Sequence, residues 1–228
     1  MLANDAAPKL EFSKKYSADH SQQYYEKHQQ GLWRKLSDWR EQMLARKALS
    51  IAGDPHSVLD IPCGTGRFWE VLTEQAGRKL YAADFSSDML QTGLAHRPQE
   101  IVQRFETFHA NAFSIPVPDN FAECVFCIRF FHHIGQEIDR IALLQELSRV
   151  SSDTIILSLW TDKNIQAMRR KRLETHRSSR SYQNRFIDAE EKIEAEFDAA
   201  HLEIIGRLDF LKFYSMWRFY VLRKSTPA

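Results

Sequence analysis

The residues whose types and spacing suggest chemistry are Asp60, Gly64, Gly66, Asp84 and the adjacent pair His132 and His133. Asp60 sits in a short apolar run, Ser57 to Ile61, followed by the turn Pro62-Cys63-Gly64-Thr65-Gly66 and a helix start. Glycine lets a backbone approach a ligand closely, and N–H groups at a helix start attract an anionic group. Asp84 closes the next apolar run, 20 residues past Gly64. A doubly wound sheet places an acid there to accept hydrogen bonds from ribose hydroxyls. A dinucleotide site would also want a glycine at position 69, which is Trp69, so the pattern disfavours NAD(P) and suits a nucleoside without a pyrophosphate. His132 and His133 follow the fourth apolar run. An imidazole with a reference pKa of about 6.5 can take a proton from a hydroxyl or an ammonium. The same pair can equally cap the next helix or pack against a loop.

Positioning these groups requires alternating strands and helices. Helical spacing of Tyr25, Trp33, Leu36, Trp39, Met43 and Leu44 predicts a helix from about Gln22 to Ala48, stopped by Gly53, Asp54 and Pro55. Strands are expected at Ser57 to Ile61, Lys79 to Ala83, Ile101 to His109, Glu123 to Arg129 and Thr154 to Trp160. Helices are expected from Phe68 to Gln75, from a Ser86 or Ser87 cap to His96, and from Glu137 to Val150. A last helix, Asp188 to Ala200, precedes β-rich runs at Leu202 to Phe213 and Met216 to Leu222, joined too tightly for anything but an antiparallel hairpin. The expected fold is α/β: a doubly wound, seven-stranded, mostly parallel sheet with a terminal antiparallel hairpin and an N-terminal helical cap. Residues 1–56 would be lead-in and cap, and 57–228 the main domain.

With 228 residues the chain suits one domain with an appendage, and 31 basic against 30 acidic residues leave +1. That balance excludes a globally basic nucleic-acid binder and an acidic disordered chain. No run reaches the ~20 apolar residues needed to span a bilayer. Met1 to Glu11 lacks a signal-peptide core, which points to a cytoplasmic protein. Cys63, Cys124 and Cys127 read as reduced thiols. Cys124 and Cys127 lie three apart in a strand and so face opposite sides, which argues against a metal or redox pair. No metal is expected.

Four segments in order carry a family resemblance. Leu59-Asp60-Ile61-Pro62-Cys63-Gly64-Thr65-Gly66 resembles the first motif of class I S-adenosylmethionine-dependent methyltransferases, and Ala83-Asp84-Phe85-Ser86-Ser87-Asp88-Met89-Leu90 their second. His109-Ala110-Asn111-Ala112 with Ile115-Pro116 is similar to the third, and Phe131-His132-His133-Ile134 to the segment after strand four. The resemblance implies S-adenosyl-L-methionine as cofactor. It would place Gly64 and Gly66 under the methionine part, steadied by Asp60, with Asp84 on the ribose diol. Phe85 and Met89 would flank the adenine, whose amino group Asn111, beside Ala112, would meet where the family usually has Asp. Arg129 would meet the cofactor carboxylate, the substrate or a plain ion-pair partner; Arg34 and Arg40 are weaker candidates. Tyr16, Tyr24 and Tyr25 would close over the site. His132 or His133 would be the base. No Asn-Pro-Pro-Tyr-like motif follows strand four, which disfavours methylation of base exocyclic amines or glutamine amides.

Residues 163–186 hold eight basic residues, Arg169, Arg170, Arg172, Arg177 and Arg180 among them, against the single acid Glu174, a net +7 that leaves −6 on the rest. A one-signed run repels itself unless an anion relieves it, and the bland alternative is a solvated helix face. Read as a substrate lid, those five arginines would bind an anionic small molecule, glycan or lipid phosphate. Only Tyr182 and Phe186 are available there for stacking, which ranks nucleic acid low. The expected function is methyl transfer to an oxygen or nitrogen of such a substrate. The rivals are a protein-lysine or RNA methyltransferase and a non-catalytic S-adenosylmethionine-binding protein.

Overall fold

Short runs rich in Val, Ile, Leu and Phe, most of the parallel ones followed by a helix, build a single seven-stranded sheet. The structure, a computed structural model, describes residues 32–175 and 185–225. Its strands are β1 (Ser57–Asp60), β2 (Lys79–Asp84), β3 (Phe105–His109), β4 (Ala122–Cys127), β5 (Ser151–Trp160), β6 (Leu202–Asp209) and β7 (Trp217–Lys224). They lie in the order β3-β2-β1-β4-β5-β7-β6. The first five are parallel, and β7 runs antiparallel to both β5 and β6. The helices are α1 (Leu32–Ile51), α2 (Trp69–Thr73), α3 (Ser87–His96), α4 (Gln99–Val102), α5 (Glu137–Val150), α6 (Ile165–Thr175) and α7 (Glu190–Ala199).

Period-two alternation sends neighbouring strand residues to opposite faces. Leu59, Val125, Cys127, Ile155 and Leu157 join one buried cluster with Leu143, Leu144 and Leu147 of α5 and Phe197 of α7. Val58, Cys124, Phe126 and Ile156 join the other, with Leu44, Ala45, Ala48 and Leu49 of α1 and Trp69 and Leu72 of α2. Cys124 and Cys127 therefore sit on opposite faces, both free and buried. Helix α1 lies as a layer on the sheet, with its inner stripe built into this second cluster.

Several boundaries differ from expectation. Ile101 and Val102 belong to α4, because Pro98 starts a helical turn whose first carbonyl accepts from both of their N–H groups. Strand β4 stops at Cys127, and Arg129 lies beyond it with φ +64°. The hairpin connection spans 210–216, longer than the sequence suggested, because a turn with Tyr214 and Ser215 N–H groups on the Leu211 carbonyl intervenes. Residues 1–31, with Tyr16, Tyr24 and Tyr25, lie outside the described residues. Among the described residues, no helix is long and apolar enough to cross a membrane.

Candidate functional site

Parallel strands end on one edge, and the order reverses between β1 and β4, so ligands are expected beyond the carboxyl tips of these strands. The loop after β1 is fixed by its backbone. Cys63 N–H donates to the Ala83 carbonyl at 2.9 Å, holding the turn against β2. Gly66 N–H closes the turn on the Cys63 carbonyl, and Trp69 N–H starts α2 on the Gly66 carbonyl. Gly64 and Gly66 have φ +56° and +68°, a region that side chains disfavour. A Cβ on Gly66 would come within 2.5 Å of the Trp69 ring. That ring stacks on Phe105 with centroids 4.6 Å apart, so Gly66 makes room for an indole at the position where a third glycine was sought.

Asp84 ties the first two strand tips together. One carboxylate oxygen accepts from Gly64 N–H at 2.7 Å, the other from Ser86 N–H at 2.8 Å. Burial raises its pKa while the Ser86 and Gly64 N–H groups oppose the rise. Ser86 also caps α3, accepting from Met89 N–H. Asp60 is buried with no hydrogen-bond partner for Oδ2. Burial, and then the charge of Asp84, push its pKa up to about 8. Phe85 is half-exposed at the mouth of this corner, its ring beside His109, while Met89 is buried beneath Gly64. Asn111 Oδ1 already accepts from Phe113 N–H at 3.0 Å, so its oxygen also serves a turn, and Ala112 beside it is buried. Asp60, Gly64, Asp84, Phe85, Met89, Asn111 and Ala112 thus occupy the carboxyl tips of β1, β2 and β3 and the loops that follow them.

The other half of the edge is aromatic and cationic. His132 lies in a 3-10 turn, Phe131–His133, just beyond β4. It is buried, its ring stacks on Trp160 at 4.8 Å, and Trp217 and His133 lie 4.8 and 4.1 Å away. Burial, His133 and the cations Arg129, Arg185 and Arg170 hold its pKa well below the ordinary imidazole range. Helix α6 is anchored at its start by Asn164, whose side chain accepts from Ala167 N–H and donates to the Thr161 and Asp162 carbonyls. Arg170 turns inward, its guanidinium carbon 4.7 Å over Trp160, and Arg185 stands 5.6 Å over the same ring. Arg169 and Arg172 lie on the exposed face of α6, so the expected arginine cluster divides. Arg177 and Arg180 lie outside the described residues.

Arg129 takes the ion-pair alternative: it meets Glu41 at 2.9 Å and lies 4.9 Å over Trp217. Arg40 donates to the Phe210 carbonyl and Arg34 is exposed. Glu41, Trp160 and Trp217 were not singled out from sequence. Glu41 could have been found as an acid on the inner stripe of α1 with Ala45 and Ala48, and Trp160 as an aromatic at a strand's carboxyl tip. Among the described residues, no group of three or more His, Cys, Asp or Glu side chains is placed to hold a metal.

Residues 59–154 match the model of a methyltransferase domain family. A demethylmenaquinone methyltransferase of Geobacillus sp. (strain WCH70) is 32% identical over 90 residues, 39% of this chain and 37% of that protein. Its counterpart from Geobacillus stearothermophilus is 27% identical over 121 residues, 52% of this chain and 49% of the relative. The chain thus spans less than half the length of either of these relatives. Among solved structures, magnesium protoporphyrin IX methyltransferase from Synechocystis PCC 6803 with bound SAM superposes with a TM-score of 0.69 at 14% identity, covering 98% of this chain and 100% of that one. The [4+2]-cyclase SpnF gives 0.57 at 12% identity over 75% of each chain. Identities this low speak for the fold alone. The sheet order, the glycine turn and the acid at the tip of β2 accompany the methyltransferase-domain match over residues 59–154.

Proposed function

We propose that the chain is a methyltransferase that uses S-adenosylmethionine and acts on an oxygen or nitrogen of an anionic small molecule. The observation that carries this is the joining of the first two strand tips by one carboxylate, Asp84, across Gly64 N–H. Both Asp84 oxygens keep a lone pair for ribose hydroxyls. The residues also fit the cationic end of such a cofactor: Asp60 Oδ2 is buried without a partner, and a carboxyl with its pKa raised to about 8 gains most from a nearby positive charge. When bound, S-adenosylmethionine supplies an electrophilic methyl group on a sulfonium. The chain's own task is then to orient the acceptor and exclude water, since positioning supplies most of the acceleration in a displacement of this kind. In this reading Phe85 and Met89 would flank the adenine, and the Trp160 corner would take the acceptor.

Calorimetry with S-adenosylhomocysteine tests the reading. The wild-type chain is expected to bind it, and Asp84→Ala to weaken binding by about 100-fold, the loss of two charge-assisted hydrogen bonds. Absence of binding to the folded wild-type chain would overturn the proposal. Arg169 and Arg172 on the outer face of α6 favour, as a second reading, an acidic protein surface as acceptor. Label from S-[methyl-³H]adenosylmethionine recovered in protein rather than in small molecules would select it.

A further inference from the structure

Helix α6 turns an apolar and basic face outward. Its inner stripe holds buried Asn164 and Ala167, with Arg170 over Trp160. The outer stripe, Ile165, Met168, Arg169, Arg172 and Leu173, has the i, i+3, i+4, i+7, i+8 spacing of one helix face, and every one of these residues is exposed. Met168 and Leu173 stand 69% and 68% exposed, where a helix on a water-facing surface normally carries polar side chains.

This stripe continues onto the turn between β6 and β7. Ile165 N–H donates to the Phe213 carbonyl at 3.1 Å and Gln166 N–H to the Tyr214 carbonyl at 3.0 Å, so the first turn of α6 and the hairpin turn form one surface. The Tyr214 and Ser215 N–H groups close that turn on the Leu211 carbonyl, which leaves Lys212 and Phe213 at its tip. Phe213 sits at φ +62°, a region that bulky side chains rarely adopt, and it is 73% exposed. Lys212 Nζ lies 5.0 Å from its ring centre. Backbone strain that presents an aromatic ring to water gains nothing from the chain's own core. Single exposed apolar residues are ordinary, but a contiguous group of them marks a contact surface.

The charge of this surface has one sign. Residues 163–173 and 210–216 contain Lys163, Arg169, Arg170, Lys171, Arg172 and Lys212 and no acid. The flanking acids Asp162 and Asp209 each meet a cation, Lys171 at 3.7 Å and Arg218 at 2.6 Å. A second copy of the chain would set this charge against itself. An acidic protein would meet the charge but hold Phe213, Met168 and Leu173 against polar groups. An anionic bilayer answers both, with phosphates outside and an apolar layer beneath them. We propose that the outer face of α6 and the 211–214 turn dock this protein onto an anionic lipid surface. The side chains of Phe213, Met168 and Leu173 enter the headgroup layer, and Arg169, Arg172 and Lys212 keep their charged heads among the phosphates. Attraction to a charged surface acts over about a Debye length, so it does not depend on any of these cations lacking a partner within the chain. The lipid then lies on the opposite side of α6 from Trp160, about one helix diameter, ~10 Å, away.

The test is co-sedimentation of the full chain with vesicles of phosphatidylcholine, either alone or with about one third phosphatidylserine. At about 0.1 M salt most of the chain is expected to sediment with the anionic vesicles and little with the neutral ones. The partition coefficient should fall about tenfold or more at roughly 0.5 M salt, as screening shortens the field. Phe213→Gly suits the backbone at that position and should lower the coefficient about tenfold, while Phe213→Trp should preserve it. Lys212→Gln should lower it about fivefold. Phe213→Gly and Lys212→Gln are expected to melt no lower than the wild-type chain, which separates a lost docking surface from a lost fold. No sedimentation with anionic vesicles, equal sedimentation with neutral ones, or undiminished binding by both variants would overturn the proposal. A lipid-free dimer that Phe213→Gly dissociates would assign the face to a second copy and overturn it as well. Binding to an immobilised acidic peptide as strong as to the anionic vesicles, and unchanged in Phe213→Gly, would assign the face to a protein instead.

Discussion

The two halves of the carboxyl edge are built by different means. On the β1–β2–β3 side the corner is held together by backbone hydrogen bonds between residues close in the sequence. Gly64 N–H meets Asp84, Cys63 N–H meets Ala83, and Ser86 caps α3. On the β4–β5–β7 side the groups are side chains gathered from distant places: Glu41 from α1, His132 after β4, Trp160 from β5, Arg170 from α6 and Trp217 from β7. Backbone donors tolerate changes of side chain, so the first half suits a constant ligand. A corner made of side chains can change what it holds by substitution without disturbing the sheet.

Substitutions can break or sharpen this contrast. The largest effect is expected at Gly66→Ala, which meets the Trp69 ring at 2.5 Å and forces a side chain into positive φ. Overpacking and backbone strain together should cost about 3 kcal/mol in urea unfolding. A loss below ~1 kcal/mol would mean that the first half adapts more readily than its backbone bonds suggest. Next comes Glu41→Gln, which removes the charge shared by Arg129 and Arg67. Because Glu41 is buried and the arginines keep some solvent, a loss of about 2 kcal/mol is expected. Little change in cofactor affinity should accompany it if the two halves are separable, and a tenfold loss of S-adenosylhomocysteine binding would show that they are coupled.

A further effect is a slope with pH. Asp60 has a folded-state pKa of about 8, against about 4 for an unfolded Asp. The folded chain therefore holds this proton more strongly between those values, and stability falls as pH rises through that window. Melting temperatures from pH 5 to 8.5 should decline in the wild-type chain and decline less in Asp60→Asn. A cationic ligand favours ionised Asp60, so binding should release protons, visible as heats that depend on the buffer's ionisation enthalpy. Equal slopes in the two proteins would show that Asp60 does not sense the interior of the first half.

The same division governs how much of the molecule could be read in advance. Strand and helix patterns at β1, β2, α3 and α5 are local, and the observed spans Lys79–Asp84, Ser87–His96 and Glu137–Val150 follow from alternation, a serine cap and helical spacing. Where a local signal was overridden, the cause was also specific. Pro98 turned Ile101 and Val102 into a helical turn rather than the start of β3. The segment 163–186 was legible as a charge excess but not as a surface. Helical geometry sends Arg170 inward over Trp160 and leaves Arg169 and Arg172 outside, and a run of arginines carries no mark of which way each will point.

The sequence by itself determined the layered α/β fold and the loop corner around Gly64 and Asp84, because both depend on periodicity and on residues within a few turns of one another. Only the tertiary structure decided that Arg129 is held by Glu41, 88 residues away. It also decided that Trp160 and Trp217 flank His132, and that Trp69 fills the space over Gly66. Pairings of that kind depend on which strands become neighbours and in what register, information spread over the whole chain and absent from any one segment of it.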